Sequence, residues 1–446
     1  MPASLLVRIL ARSFLAGPPT VEGIVSRASL ALGKPWRWLH PLAKRYLKIF
    51  HGHPRPRHRD VVQFILRDLQ FQRIWLKHRR GISIAHFITG TQPMQPVAAA
   101  RNWPVPTIES AAALADWLQI TPTELQWFAD LKGLAYKKSN SMLRHYHYRI
   151  LAKQSGNIRL IEAPKRRLKE IQRRILNEIV EKISAHPAVH GFVITRSIKT
   201  FAAPHINQRV VLRMDLRDFF PSFIRARIQA MFRTMGYPEA VADLLGGLCT
   251  TITPRDIWAR AAFGEDPFHL WESRWETQAI YFQPHLPQGA PTSPALANLC
   301  AYRLDCRLAG LAESAGATYT RYADDLAFSG GEDFEKRVVR FSVHVAAIAL
   351  EEGFNVHHRK TRIMRQGARQ HLAGIVINRH TNVRRADFDR LRAILTNCVR
   401  LGPATQNRDA HPEFRLHLEG KLAFVEMINP FKAKRLRAIF NQIQWP

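Results

Sequence analysis

Thr320-Arg321-Tyr322-Ala323-Asp324-Asp325-Leu326-Ala327-Phe328 sets two adjacent aspartates between two apolar, β-prone segments. The pattern predicts a hairpin that lifts carboxylates out of a sheet. Neighbouring carboxylates repel each other unless a cation neutralises them, so the pair suits a hard metal such as Mg²⁺. Asp also favours turns for local reasons, and a lone Asp-Asp turn is structural more often than catalytic. The segments that accompany it decide between the two readings.

Val210-Val211-Leu212-Arg213-Met214 reads as a buried strand that ends in Asp215 and runs on into Leu216-Arg217-Asp218-Phe219-Phe220-Pro221-Ser222. An acid at the end of a buried strand is costly unless it is paired or metal-bound. Asp215 is therefore a candidate third carboxylate, and three carboxylates can hold two Mg²⁺ ions for nucleotidyl transfer. Asp218 has a second reading, as the cap of a helix starting near Pro221. Leu286-Pro287-Gln288-Gly289-Ala290-Pro291-Thr292-Ser293-Pro294 is a rigid loop, and Ser293-Pro294 is a strong helix start. A helix N-terminus beneath such a loop suits an anionic, sugar-bearing ligand.

The wider composition fits a polyanionic partner. The 446 residues carry a net charge of +31, with 66 Lys and Arg against 35 Asp and Glu. Such an excess serves nucleic acid or an anionic surface. No apolar run reaches the roughly 20 residues that span a bilayer, so no membrane partner is expected. Cys249, Cys300, Cys306 and Cys398 have neither metal-like nor disulfide-like spacing, which suits reduced thiols in a cytoplasmic protein.

Four regions are expected. Residues 1–104 form a basic, mainly helical extension with 17 Lys and Arg against 3 acids. A helical stretch spans Val61 to Trp75. The run His51 to His58 reads as a basic loop in preference to a metal site. Trp36, Trp38 and Trp75 interleave with cations, which suits RNA stacking, and equally suits a core. Residues 105–140 hold a helical hairpin, Ser110 to Leu118 and Pro122 to Leu131, with a capping box from Thr121 to Glu124. Residues 141–380 mix antiparallel strands and helices: strands at 147–152 and 157–161, helices at 168–183, 294–309 and 334–352, and an excursion at about 251–283 that carries Trp258, Trp271 and Trp275. Residues 381–446 are helical. Without regular βαβ repetition the fold class is α+β.

In this order, Asp215 with Phe219-Phe220, the Leu286–Pro294 loop and Tyr322-Ala323-Asp324-Asp325 resemble the palm motifs of reverse transcriptases. Arg159 to Pro164, Ile171-Gln172-Arg173 and His190-Gly191-Phe192 resemble the fingers of the prokaryotic retron and group II intron branch. The resemblance covers roughly residues 145 to 440. It implies a right-hand polymerase fold of fingers, palm and thumb. It implies Asp215, Asp324 and Asp325 as the metal-binding catalytic triad, with two Mg²⁺. Phe220 takes the steric-gate position beside Phe219 and Asp218, Gln288 touches the incoming nucleotide, and Arg159 and Lys153 grip its triphosphate. Lys360 protonates departing pyrophosphate; a solvated basic strand edge is its other reading. Leu372-Ala373-Gly374 is the primer grip.

The resemblance implies a retron-like RNA-directed DNA polymerase that copies a structured non-coding RNA into cDNA from dNTPs, in antiphage defence, with an effector protein as partner. Phe201-Ala202-Ala203-Pro204-His205 keeps the Ala and His of a retron motif but not its Asn, and Leu372-Ala373 stands where retrons carry Val-Thr. With the thumb ending at Pro446, no ribonuclease H or endonuclease domain is expected after it. The competing readings are a non-retron defence polymerase, template-independent or protein-primed, and a non-catalytic RNA-binding or splicing scaffold.

Overall fold

The computed structural model describes residues 3–50, 56–78, 81–86, 93–137, 141–152, 158–259 and 278–445. Their contacts fall into two compact units, Met1–Ile183 with Phe223–Leu296, and Ser184–Ser222 with Ala297–Pro446. Helices and antiparallel strands alternate irregularly in both, so the class is α+β.

In the first unit, the N-terminal helices Ala3–Leu15, Val21–Leu32, Leu39–Ile49, His58–Arg67 and Leu69–His78 close around their own core of Leu6, Leu10, Phe14, Ile24, Leu42, Tyr46 and Ile65. The helix expected from Val61 to Trp75 is broken at Asp68, which is extended (φ −71°, ψ 109°). Its carboxylate accepts from the Phe71 amide at 2.8 Å and so starts the next helix, while Arg45 grips it at 2.7 Å. Trp38 belongs to this core, and Trp36 and Trp75 pack against it half-buried, which answers the stacking expectation for Trp38. His51 and His53 lie outside the described residues. The helical hairpin forms at Ala111–Leu118 and Pro122–Ala129 with the expected capping box.

Strands β1 (Tyr146–Ala152) and β2 (Ile158–Pro164) form an antiparallel ribbon. The excursion at 251–283 begins and ends at one place: Thr251 and His285 exchange backbone hydrogen bonds at 3.0 and 2.9 Å. Its Trp258 packs on Tyr281 in a small core with Leu160, whereas Trp271 and Trp275 lie outside the described residues.

The second unit is built on an antiparallel sheet. Strand β3 (Val210–Arg217) is central, flanked by β5 (Asp325–Gly330), which pairs in turn with β4 (Ala317–Tyr322), and by β6 (Asn355–Val356) and β7 (Arg362–Arg365) on the other side. Strand β3 does not stop at Asp215 as expected. It continues two residues because Leu216 and Arg217 find partners in Val356 and Asn355. Helix Glu332–Glu351 covers the sheet through Phe334, Val338, Phe341 and Val345. A second hairpin, β8 (His371–Leu372) and β9 (Ile375–Val376), turns through Ala373 (φ 45°) and Gly374 (φ 84°). Both central residues need positive φ, the signature of a type I′ turn. The helix expected at 294–309 is divided at Ala301 into Ser293–Cys300 and Tyr302–Ser314. Helices Arg385–Leu401, Phe414–Ile428 and Pro430–Phe440 follow and share a core with Leu372 and Ile375.

Candidate active site

The Asp-Asp hairpin forms as the sequence implies. Strands β4 and β5 meet at the pair Tyr322–Asp325, leaving Ala323 and Asp324 as the turn. Ala323 sits at φ 55°, a left-handed conformation that a non-glycine residue adopts at a cost. Asp325 also lies opposite Asp215 across β3, and the Leu216 amide donates to the Asp324 carbonyl at 2.9 Å. The sheet therefore brings all three aspartates to one end of β3.

Their surroundings are cationic. Lys360, on the short helix His358–Lys360, places Nζ 2.9 and 3.0 Å from the two carboxylate oxygens of Asp215. Lys360 thus pairs with Asp215 while its side chain stays about half exposed. Arg213 holds Asp325 through Nε at 2.9 Å and Nη2 at 2.7 and 2.9 Å. Among the described residues no cation pairs directly with Asp324, although the charge of Lys360 is felt there. Burial first, then the charges of Asp215 and Asp325, push its carboxyl up to about 6. Burial likewise raises Asp325, against the pull of Arg213. A carboxylate this disfavoured is stabilised by a bound cation, and oxygen-only donors suit a hard divalent ion. Among the described residues no three His, Cys, Asp or Glu side chains stand at metal-ligating spacing. The carboxylates are thus gathered but not arranged as a cage, with Asp215 paired to Lys360 and Asp325 to Arg213.

The turn is fixed from beneath by residues to which sequence reading gave no role. Arg321 is fully buried and forms a bidentate pair with fully buried Asp305, with Nε and Nη2 each at 2.7 Å. Its Nη1 donates to the Ala323 carbonyl at 3.0 Å and to Asn298 Oδ1 at 3.1 Å. Tyr319 donates to Asp305 at 2.8 Å. Asn298 in turn donates to the Gly191 carbonyl at 2.8 Å, and a Cβ on Gly191 would lie 2.6 Å from the Ala323 nitrogen. His205, the retained histidine of the 201–205 segment, lies between the hydroxyls of Ser329 and Thr320, each at 2.7 Å. Burial, followed by the charge of His190, pushes its imidazole down to about 3, so it stays neutral. Strand alternation offered a signal for Arg213, which shares a face with Asp215. Arg321 was quoted within the hairpin, but its partner Asp305 is distant in sequence.

Phe219 is buried and stacks on Phe354, with ring centroids 5.8 Å apart. Phe220 is half-buried and meets Phe192 at 6.2 Å, and Phe192 meets Tyr322 at the same distance. Asp218 does not cap a helix at Pro221, since the next helix starts at Arg225. It adopts φ 47°, and its carbonyl accepts from the Ser222 amide and hydroxyl at 3.0 and 2.8 Å. Leu372 is buried, Ala373 is half-buried and Gly374 is exposed in the turn described above.

Two other candidates belong to the first unit. Arg159 is exposed on β2, and Gln288 lies in the loop whose backbone carbonyl accepts from Glu162 at 2.8 Å. Gly289 (φ 132°) presses on the Glu162 carbonyl so closely that a Cβ would approach to 3.0 Å. Glu162 is fully buried and bonds His285 Nε2 at 2.9 Å and Thr253 Oγ1 at 2.6 Å. Lys153 lies outside the described residues.

Comparison with known proteins agrees with this geometry. The family model described as reverse transcriptase (RNA-dependent DNA polymerase) matches residues 151–384, just over half of the chain. The retron Mx65 reverse transcriptase of Myxococcus xanthus is 42% identical over 69% of this chain and 66% of its own length. The retron Mx162 enzyme of the same organism is 34% identical over 76% of this chain and 67% of its own. The retron Ec86 enzyme of Escherichia coli is 29% identical over 64% and 77%. The chain thus spans about two thirds of the length of the first two relatives. These likenesses hold despite the departures at Phe201 and Leu372-Ala373. The chain belongs to the reverse transcriptase family and is of the prokaryotic retron type.

Proposed function

We propose that this protein is an RNA-directed DNA polymerase that copies a structured non-coding RNA into DNA, using dNTPs and two Mg²⁺ ions. The observation that carries the reading is the facing of Asp215 and Asp325 across one rung of the sheet, with Asp324 on the adjoining turn and raised to about 6. Asp215, Asp324 and Asp325 would hold the metal, which would supply Lewis-acid activation of a primer hydroxyl and charge neutralisation at the phosphates. Lys360, once released from Asp215, delivers a proton to the pyrophosphate. Phe220 excludes a ribose 2′-hydroxyl. The resemblance implies Arg159, Lys153, Asp218, Phe219 and Gln288 as nucleotide-binding residues and the Leu372-Ala373-Gly374 turn as support for the primer. The resemblance to retron enzymes supports a cytoplasmic role in antiphage defence with an effector protein partner.

Asp324→Asn is expected to abolish DNA synthesis on a primed RNA template while RNA binding persists. Full synthesis by that variant would defeat the mechanism.

A further inference from the structure

A buried ionisable cluster in the first unit has no part in the chemistry described so far. Glu162, Thr253 and His285 are all fully buried. They come from strand β2, from the start of the 251–283 excursion and from the segment just after its end. Glu162 Oε2 meets His285 Nε2 at 2.9 Å, and Glu162 Oε1 accepts from the Thr253 hydroxyl at 2.6 Å. His285 Nδ1 lies 2.8 Å from the Gln283 carbonyl. A carbonyl only accepts, so Nδ1 carries hydrogen and Nε2 is left for Glu162. The pair then shares one proton between Nε2 and Oε2, and is neutral as a whole wherever that proton sits. Both ring nitrogens and both carboxylate oxygens have a partner, as burial demands.

The same two residues hold the loop that carries Gln288. The Glu162 amide donates to the Gln288 carbonyl at 2.8 Å. The Glu162 carbonyl lies so close to Gly289 that a Cβ there would come within 3.0 Å. At the other end of the loop, His285 exchanges backbone hydrogen bonds with Thr251, and the Leu286 amide donates to the Phe223 carbonyl at 3.0 Å. The Glu162–His285 bond therefore closes a ring. It runs from the Glu162 backbone to Gln288, back through Pro287 and Leu286 to His285, and across the carboxylate to Glu162 again. One residue of β2 clamps this stretch of loop at both ends. Strand β2 also carries Arg159, so the clamp fixes Gln288 in register with it.

We propose that Glu162 and His285 are positioning residues for the incoming nucleotide: their buried bond sets where the Gln288 loop stands against β2, and so sets the affinity for dNTP. This rests on the reading of Gln288 as a nucleotide-binding residue. Neither Glu162 nor His285 touches the nucleotide, since both are enclosed. Losing the bond frees one end of the clamped loop, which weakens nucleotide binding and leaves the aspartates of the second unit as they are.

Single-nucleotide incorporation on a DNA primer annealed to an RNA template gives KM for dNTP and kcat for the full-length protein and its variants. His285→Phe keeps a ring but no nitrogen, and is expected to raise KM about 5-fold or more while kcat stays within about twofold. Glu162→Gln keeps both contacts, because its amide nitrogen donates to Nε2 and its oxygen accepts from Thr253. It is expected to hold KM within about twofold of wild type. In a Gln288→Ala background His285→Phe is expected to change KM by less than about twofold, since the side chain to be misplaced is gone. Should His285→Phe not fold, as judged by thermal melting, Glu162→Leu/His285→Phe leaves no charge stranded and carries the same expectation. Failure of that variant to fold as well assigns the pair to stability alone and overturns the proposal. An unchanged KM in the folded variant overturns it, as does a fall in kcat at constant KM, which a smaller active fraction would give. A Glu162→Gln variant as impaired as His285→Phe, or an equal rise in KM without Gln288, overturns it too. Wild-type protein that incorporates no dNTP would defeat the polymerase reading itself, a failure distinct from any of these.

Discussion

Replacing Arg321 by Met is expected to be among the most damaging single changes in the second unit. Both members of the Arg321–Asp305 pair are fully buried, so removing the cation leaves a carboxylate that, among the described residues, keeps only the Tyr319 hydroxyl as a side-chain partner. Breaking a buried pair in this way costs about 3–5 kcal/mol, most of it the penalty of the stranded charge. The same guanidinium holds the Ala323 carbonyl, so the left-handed turn that presents Asp324 loses its brace as well. Urea denaturation gives the stability loss, and primer extension under saturating dNTP at a temperature where the variant remains folded gives kcat. We expect the double variant Arg321→Met/Asp305→Leu to regain most of the stability, because no charge is left buried, but not kcat, because the turn still lacks its support. A loss below about 1 kcal/mol for Arg321→Met, or a double variant no more stable than the single one, would refute the reasoning.

Other expectations concern the surface of the site. The Asp324 carboxyl is raised from its usual value to about 6, so its contribution to stability is complete at low pH and lost as pH rises through 6. Metal-free protein is therefore expected to lose up to about 3 kcal/mol between pH 4 and pH 8 from this group, and Asp324→Asn is expected to flatten that part of the profile in urea titrations with EDTA. Phe220→Val is expected to admit ribonucleotides, measured as the ratio of kcat/KM for dNTP and rNTP; an unchanged ratio shows that another residue is the gate. Gly191→Ala would drive a methyl group to 2.6 Å from the Ala323 nitrogen, and is expected to lower DNA synthesis at least 10-fold in primer extension while the far-UV circular dichroism stays native.

The hairpin, the flanking strands and the three aspartates were legible because each is encoded locally. A strand shows in alternation over a few residues, and an Asp-Asp turn in a tetrapeptide. What lay hidden depends on partners distant in the chain. Strand β3 runs past Asp215 only because residues 355 and 356 return to pair with it. Arg321 had no role in the sequence reading, and is a core residue because Asp305 faces it from a helix. The helix break at Asp68 carried a signal, an Asp at a helix start, that the apolar periodicity on either side masked. The resemblance had already set Phe220 apart from Phe219, and the structure adds that Phe219 is buried and Phe220 half-buried.

The rung formed by Thr251 and His285 has a practical meaning for engineering. The excursion opens and closes on one pair of hydrogen bonds, the Glu162–His285–Thr253 cluster locks that pair to β2, and Trp258 and Tyr281 pack back on Leu160. Such a neck works as a socket for whatever is carried between Trp258 and Tyr281, because those two rings close it from the far side. A foreign domain whose own termini lie close together can be spliced in there, giving the polymerase a passenger without redesign of the strands around the neck.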